Sequence, residues 1–314
     1  MARRALGPAT LEVVQAVEPA LVTPVLVACS GGPDSLALAA AAGLVGLRHG
    51  IGVRAVVVDH GLQPGTAEVA ARVVGTLDAL GVPAVVCAVR VLDDGRGPEA
   101  AARAARYAAL EAAAAGEERI LLGHTLDDQA ETVLLGLARG SGTRSLAGIP
   151  PARERFVRPL LGVRAATTRL ACSELGLTPW TDPHNTDDRF ARVRVRRRVL
   201  PLLEAELGPG VAQALARTAD LARADADLLD HLAVLELAEH PAGELDCERL
   251  AQLPTALRGR VLREWLRASG IKDLAAAHVA AVGTLVTEWR GQRWVDVPGA
   301  QVLRSAGRLR VRQQ

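Results

Sequence analysis

The sequence predicts an α/β fold in which a parallel sheet is covered by helices on both faces, followed by a smaller α+β region. Three observations carry this expectation. Between residues 24 and 135 short aliphatic runs alternate with alanine-rich stretches of helical length, the pattern of strands buried on both sides and joined by crossover helices. Of the 314 residues 49% are hydrophobic but only 2% aromatic, so the core is built from alanine, leucine and valine. The length suits about two domains at roughly 150 residues each.

Strands are expected at PVLVA (24–28), VRAVVV (53–58), PAVVCAV (83–89) and RILL (119–122), with helices at 35–48, 65–80, 98–115 and 126–139. Residues 140–190 are rich in Gly, Pro, Thr and Arg with weak periodicity, which predicts loops and short elements attached to the sheet. The following ARVRVRRRVLPLL fits two conformations. Either it is extended, with Arg192, Arg194 and Arg196 on one face, or it is a helix with arginine over most of its surface. Beyond Pro209, residues 211–238, 248–269 and 274–289 read as helices, and the tail gives two or three short strands with turns at Pro298-Gly299 and Ala306-Gly307. A larger domain is therefore expected over 1–215 and a separate C-terminal one over 216–314.

The formal charge of +2 argues at first against a polyanionic partner, but it hides a gradient. Residues 139–198 hold 13 arginines against five acids, a net +8, which leaves −6 for the rest; six of those arginines lie in 189–198. Planar guanidinium groups at this density suit phosphate, although a solvated basic face is the plainer alternative. With few aromatic residues nearby beyond Trp180 and Phe190, nucleic-acid recognition would rest on backbone and shape rather than widespread stacking.

The same composition excludes several classes. The single lysine, Lys272 in IKDL, fits no Walker A, kinase or Schiff-base motif. Four cysteines without a CxxC exclude a zinc knuckle or dithiol site and fit reduced thiols in a cytoplasm. No HExxH or GxSxG occurs, which removes zinc-hydrolase and triad readings. The opening MARRALGPAT is followed by no signal-type stretch, and the longest apolar run, 36–47, falls short of the roughly 20 residues a membrane span needs, so a soluble cytoplasmic protein is expected.

Ligands of such a fold collect at the carboxyl ends of the strands. There the sequence places CSGGPDS, DHGL and GHTLDDQAET. In Ser30-Gly31-Gly32-Pro33-Asp34-Ser35 a buried strand opens into a helix; free N–H groups and the helix dipole attract an anion, and two glycines let the backbone approach it closely. A tight turn with an N-cap is the bland alternative. Asp34 beside a polyanion is explained by magnesium bridging carboxylate and phosphate. In HTLDDQAET, Asp128 and Glu131 share a helix face; Asp128 is the candidate for a metal or acid–base role, while an N-cap box is the reading these residues have in isolation.

SGGPDS resembles the SGGxDS signature of the PP-loop ATP pyrophosphatases, which split ATP into AMP and pyrophosphate to activate a carbonyl oxygen. Six further stretches resemble, in order, the motifs of one family within that class, the tRNA(Ile)-lysidine synthases: VDHGL (58–62), PEAAARAARYAAL (98–110), LGHTLDDQAETVLLGLARGSG (122–142), RPLL (158–161), PWTDPHNTDD (179–188) and RVRVRRRVLPLL (192–203). The match spans roughly residues 24–205. Val193 stands where the family usually has asparagine, and Phe190 where it has a tyrosine-like aromatic.

This resemblance implies a parallel five-stranded-type sheet of the adenine nucleotide alpha hydrolase-like class. It implies that ATP adenylates C2 of the wobble cytidine in the CAU anticodon of an isoleucine tRNA, and that free L-lysine then displaces AMP. It further implies that residues Ser30, Gly31, Gly32, Pro33, Asp34, Ser35 and His60 bind ATP, and that Asp34 and Asp128 hold Mg2+. Asp34, Asp128, Arg103 and His124 would be the catalytic residues and Glu99 and Glu131 would receive lysine. Arg139, Arg192, Arg194 and Arg196, with the C-terminal domain, would hold tRNA. Two other readings stay open. A different PP-loop enzyme, such as a tRNA thiolase or an amidotransferase-type synthetase, is disfavoured by the missing CxxC. A non-catalytic tRNA-binding protein is disfavoured by the intact Ser30, Asp34, Ser35 and Asp128. Monomer and dimer are not distinguished by the sequence.

Overall fold

The computed structural model describes residues 6–59, 61, 65–89, 97–140, 142–181 and 187–313, the side chains of Pro98 and Glu99 excepted. They divide into two compact units, Met1–Asp220 and Leu221–Gln314. The division falls inside one long helix, a few residues beyond the boundary expected at 215.

In the first unit, helix α1 (Pro8–Val17) precedes strand β1 (Val25–Ala28), helix α2 (Pro33–His49), β2 (Val53–Asp59), α3 (Thr66–Ala79), β3 (Ala84–Ala88), α4 (Pro98–Ala113), β4 (Arg119–Leu122) and α5 (Leu126–Ala138). Short elements follow: α6 (Thr143–Leu146), β5 (Ala152–Arg153), β6 (Phe156–Val157) and α7 (Ala165–Glu174). The sheet order is β3-β2-β1-β4-β6-β5. Its first five strands pair in parallel, and only β5 runs antiparallel, against β6.

Side chains alternate across this sheet, and each face finds its own cover. Val25, Val27, Ala55, Val57 and Leu121 pack with α1, α2 and α7 into one core. The residues between them, Leu26, Val56, Ile120 and Leu122, pack with Leu110 of α4 and with Phe156 on the other face. Strands buried on both sides read as unbroken aliphatic runs for this reason, and each leucine so buried contributes about 2 kcal/mol. The exception is β3. As the edge strand it leaves Val85 and Val86 about half exposed, because one of its sides has no neighbouring strand among the described residues.

The run at 191–207 is helical rather than extended: α8 (Ala191–Arg194), a π-turn over Val195–Val199, and α9 (Leu200–Leu207). Val193 is its buried residue in α8, so an apolar side chain faces the protein where a polar one was expected. Leu200 joins Leu126 and Ala130 of α5 in a small cluster that fixes this segment beside α5.

Helix α10 (Val211–Ala238) leads into the second unit. There β7 (Glu244–Asp246), β8 (Trp294–Val297), β9 (Ala300–Ser305) and β10 (Arg308–Gln313) form an antiparallel sheet in the order β7-β10-β9-β8. Helices α11 (Cys247–Gln252), α12 (Thr255–Ala268) and α13 (Ala276–Thr287) accompany it, with Leu262, Trp265, Leu266, Leu285, Val302 and Leu309 at the core. The helix expected over 248–269 is broken in two because Pro254 cannot donate the backbone bond a continuous helix needs. No described helix is long and apolar enough to cross a membrane.

Candidate active site

The chain reverses direction across the sheet at β1: β2 and β3 lie to one side and β4 to the other. The loops after β1 and β4 therefore leave the sheet on either side of a crevice, the usual ligand position in such folds. A cavity of about 510 Å³ opens there, lined among others by Ser30, Asp34, Ser35, His124, Asp128 and Arg196.

Its floor is the turn 30–35. Gly31 has φ +82°, and a Cβ there would stand 2.4 Å from Val73 Cγ2, so both conformation and space demand glycine. The Trp180 N–H donates to its carbonyl at 2.9 Å. Gly32 caps α2 and Pro33 opens it, a position where the missing N–H costs nothing. Ser35 is buried and knits the turn together. Its hydroxyl donates to Gly32 O at 3.0 Å, accepts from the Ser30 N–H at 3.1 Å and lies 3.2 Å from Ser30 Oγ. The first N–H groups of α2 have no partner within the helix, and the residues of this first turn line the cavity, a position where an anion is favoured. Gly123, which sequence reasoning passed over, lets the β4 loop close on this turn: a Cβ there would meet the Asp34 and Ser35 backbone at 3.1 Å.

The tandem aspartates of α5 point to different places. Asp128 Oδ2 accepts from the Thr125 N–H at 2.9 Å and hydroxyl at 3.0 Å, the N-terminal box that the sequence allows. Its Oδ1 stays toward the cavity, 3.1 Å from Arg196. Asp127 instead accepts from the Ala165 N–H at 2.7 Å and pairs with Arg164 at 3.0 Å, holding the start of α7. Glu131 has a fully buried side chain, gripped by Arg196 at 2.5 and 2.9 Å. Burial pushes its carboxyl up, opposed by that guanidinium. Burial also lifts Asp34 to about 6, with the neighbouring charge of Asp128 adding to it and Thr168 opposing.

His124 closes the β4 side. Burial holds it down to about 4, with Arg158, Arg106 and Arg103 adding to the effect and Asp128 opposing it; the ring is neutral at pH 7, and its buried Nδ1 has no hydrogen-bond partner among the described residues. Next to it Tyr107 gathers three arginines. Its hydroxyl accepts from Arg103 at 3.1 Å and Arg158 at 3.4 Å, and the Arg103 and Arg106 guanidinium groups lie 4.9 and 5.8 Å from the ring centroid. Arg106 lines the cavity, while Arg103 is exposed and is not among the lining residues.

The basic segment is exposed and paired to the protein's own acids and carbonyls. Arg192 donates to Thr132 Oγ1 at 3.1 Å, Arg194 to the Asp188 and Arg189 carbonyls, and Arg198 to the Asp188 carboxylate. Arg139 is the exposed C-terminal cap of α5. The structure thus brings Ser30, Asp34, Ser35, His124, Asp128 and Arg196 to one cavity, sets the buried Glu131 behind it on Arg196, and leaves Arg103, Arg139, Arg192 and Arg194 outside its lining. His60 and the Glu99 side chain lie outside the described residues.

A switch-point turn of backbone donors and hydroxyls, with a carboxylate on it and a second one across the crevice, defines a nucleotide-binding enzyme of the PP-loop class, which uses ATP. The family model described as the PP-loop domain matches residues 9–203, and the one described as the TilS substrate binding domain matches 245–310. The chain is 52% identical over 294 residues to a tRNA(Ile)-lysidine synthase of Leifsonia xyli subsp. xyli, covering 91% of this chain and 88% of the relative. It is 51% identical to one of Salinispora arenicola over 98% of this chain and 97% of the relative. A U34-tRNA thiolase structure from Methanococcus maripaludis shares the fold at TM-score 0.54 and 17% identity, over 68% of this chain and 80% of that one. The chain belongs to the tRNA(Ile)-lysidine synthase family.

Proposed function

We propose that this chain ligates free L-lysine to C2 of the wobble cytidine in the CAU anticodon of isoleucine tRNA, with ATP converted to AMP and pyrophosphate. The observation that carries the reading is the convergence of the 30–35 turn, Asp34, Asp128 and Arg196 on one switch-point cavity, with the buried Glu131 held behind it by Arg196. In the first step the C2 carbonyl oxygen attacks the α-phosphorus and pyrophosphate leaves. In the second, the ε-amine of lysine attacks C2 and AMP departs with the oxygen.

The turn 30–35 receives the pyrophosphate portion through its N–H groups and serines. Magnesium suits Asp34 and Asp128, because that ion takes one or two carboxylates and completes its shell with phosphate oxygens and water. Among the described residues no cluster of three or more metal-ligating side chains occurs, which agrees with a site completed by its substrate. When bound, the ion would neutralise charge on the phosphates. Arg106 and the neutral His124 face the reacting base and phosphate from the β4 side, with Arg103 beyond them. Glu131 is assigned to the lysine amine, exchanging its cationic partner Arg196 for the substrate. A carboxylate whose proton affinity is raised by burial is suited to keep that amine deprotonated. Glu99 is a second acceptor for lysine, and His60 a further contact to ATP. Arg139, Arg192, Arg194 and Arg196, together with the 216–314 region, are assigned to tRNA, and the four free cysteines fit a reducing cytoplasm.

The test of adenylation is ATP–pyrophosphate exchange. Exchange should require both magnesium and CAU-anticodon isoleucine tRNA; exchange that is indifferent to tRNA contradicts the reading.

A further inference from the structure

Helix α7 carries a threonine, Thr168, that no motif in the sequence marks, yet its side chain is fully buried and its hydroxyl donates to Asp34 Oδ1. Among the described residues it is the only hydrogen-bond partner of the Asp34 side chain. The same hydroxyl lies 2.9 Å from Ala165 O in its own helix, so its one proton is shared between two acceptors. The start of α7 is in turn held by Asp127, through the Ala165 N–H at 2.7 Å and Arg164 at 3.0 Å. The second acid of the pair, Asp128, faces the cavity itself.

We infer that Thr168 is a positioning residue for adenylation: it binds one oxygen of Asp34 so that the other is presented to magnesium, and Asp127 sets Thr168 through α7. The two adjacent aspartates then serve one metal-binding pair, Asp128 directly and Asp127 at one remove. A carboxylate in the first turn of a helix has several accessible rotamers, and a buried hydroxyl donor selects one of them before nucleotide arrives. Partners of this kind commonly change metal affinity ten- to a hundredfold when removed.

This inference rests on the proposed role of Asp34 in binding magnesium with ATP, and its test separates the two. Binding of a non-hydrolysable ATP analogue to the full chain is measured calorimetrically with magnesium and with EDTA. The wild type should bind more tightly with magnesium; no such gain would overturn the metal reading and the inference together. Thr168→Val, which keeps the shape and removes the donor, should lose about ten- to a hundredfold of the magnesium-dependent gain with its EDTA affinity unchanged. Thr168→Ser should restore the gain, and Asp127→Ala should reproduce the loss. A Thr168→Val protein that keeps the full gain, or that loses affinity equally in EDTA, overturns the positioning role while leaving the wild-type metal reading intact.

Discussion

The turn at residues 30–35 and the arginine-rich segment at 189–198 both present positive potential, and they do so by opposite means. In the turn the donors are backbone N–H groups and two hydroxyls, held by a buried Ser35 and by a glycine at φ +82° against Val73. In the segment the donors are guanidinium groups on an exposed helix, engaged by acids, carbonyls and a threonine hydroxyl of the same protein. The first kind of site is set by backbone geometry and is intolerant where that geometry demands glycine, at Gly31. The second is adaptable and redundant, and screened by salt. That division suits a compact nucleotide held in one pose and a tRNA met over a broad surface.

The contrast is open to tests of decreasing size. Removing the carboxylate on the turn should be most damaging: Asp34→Ala is expected to lower tRNA-dependent ATP–pyrophosphate exchange by about 10²–10³-fold while tRNA affinity, read by gel shift, stays nearly unchanged. Within the turn, Gly31→Ala should destabilise the chain by about 3 kcal/mol through positive φ and the clash with Val73. Gly32→Ala, with ordinary φ and its nearest neighbour Ser30 Oγ at 3.6 Å, should leave the melting temperature almost unmoved. Equal effects at the two glycines would break the claim that the turn is fixed by backbone geometry.

Asp34 also links the site to pH. A carboxyl raised from 3.8 to about 6 binds its proton more tightly folded than unfolded, so its contribution favours folding below about pH 4 and is lost as pH rises through 6. Asp34→Asn should therefore stabilise the nucleotide-free protein at pH 8 by about 2 kcal/mol, discounted for partial solvent access, and bring little gain at pH 4. His124 works in the opposite direction. Held down to about 4, it favours folding above pH 6.5 and loses that contribution as pH falls through 4. The Asn variant isolates the first effect, read as the pH dependence of urea midpoints.

The smallest effect belongs to the exposed arginines. Arg194→Ala is expected to change stability by no more than a few tenths of a kcal/mol, weaken tRNA uniformly and reduce the log–log salt slope by about one. A sequence-selective loss would show instead that the segment reads bases.

Much of this architecture was legible in the chain. All four aliphatic runs are strands, the helices following them fall within a few residues of their expected ends, and the turns at Pro298-Gly299 and Ala306-Gly307 join β8 to β9 and β9 to β10. Each of these signals is local: a run of β-branched residues, an alanine-rich stretch, a turn dipeptide. Strands β5 and β6, of two residues each, are too short for any periodicity to register, and α1 and α7 lay outside the expected elements. At the site, the tight turn at 30–35 and the place of Asp128 beside it were readable because backbone geometry imposes glycine and a motif imposes spacing. The separate tasks of Asp127 and Asp128 were not, since adjacent residues of a helix point about 100° apart and only the packing of α7 decides which one meets the cavity. Thr168 left no trace for the same reason, its partner lying 134 residues away in sequence.

The most direct test of the central claim is transfer of labelled lysine. With magnesium-ATP the full chain should place label into CAU-anticodon isoleucine tRNA and none into methionine tRNA, with one AMP released per lysine joined. Absence of label from the isoleucine tRNA, or equal labelling of both, would contradict it.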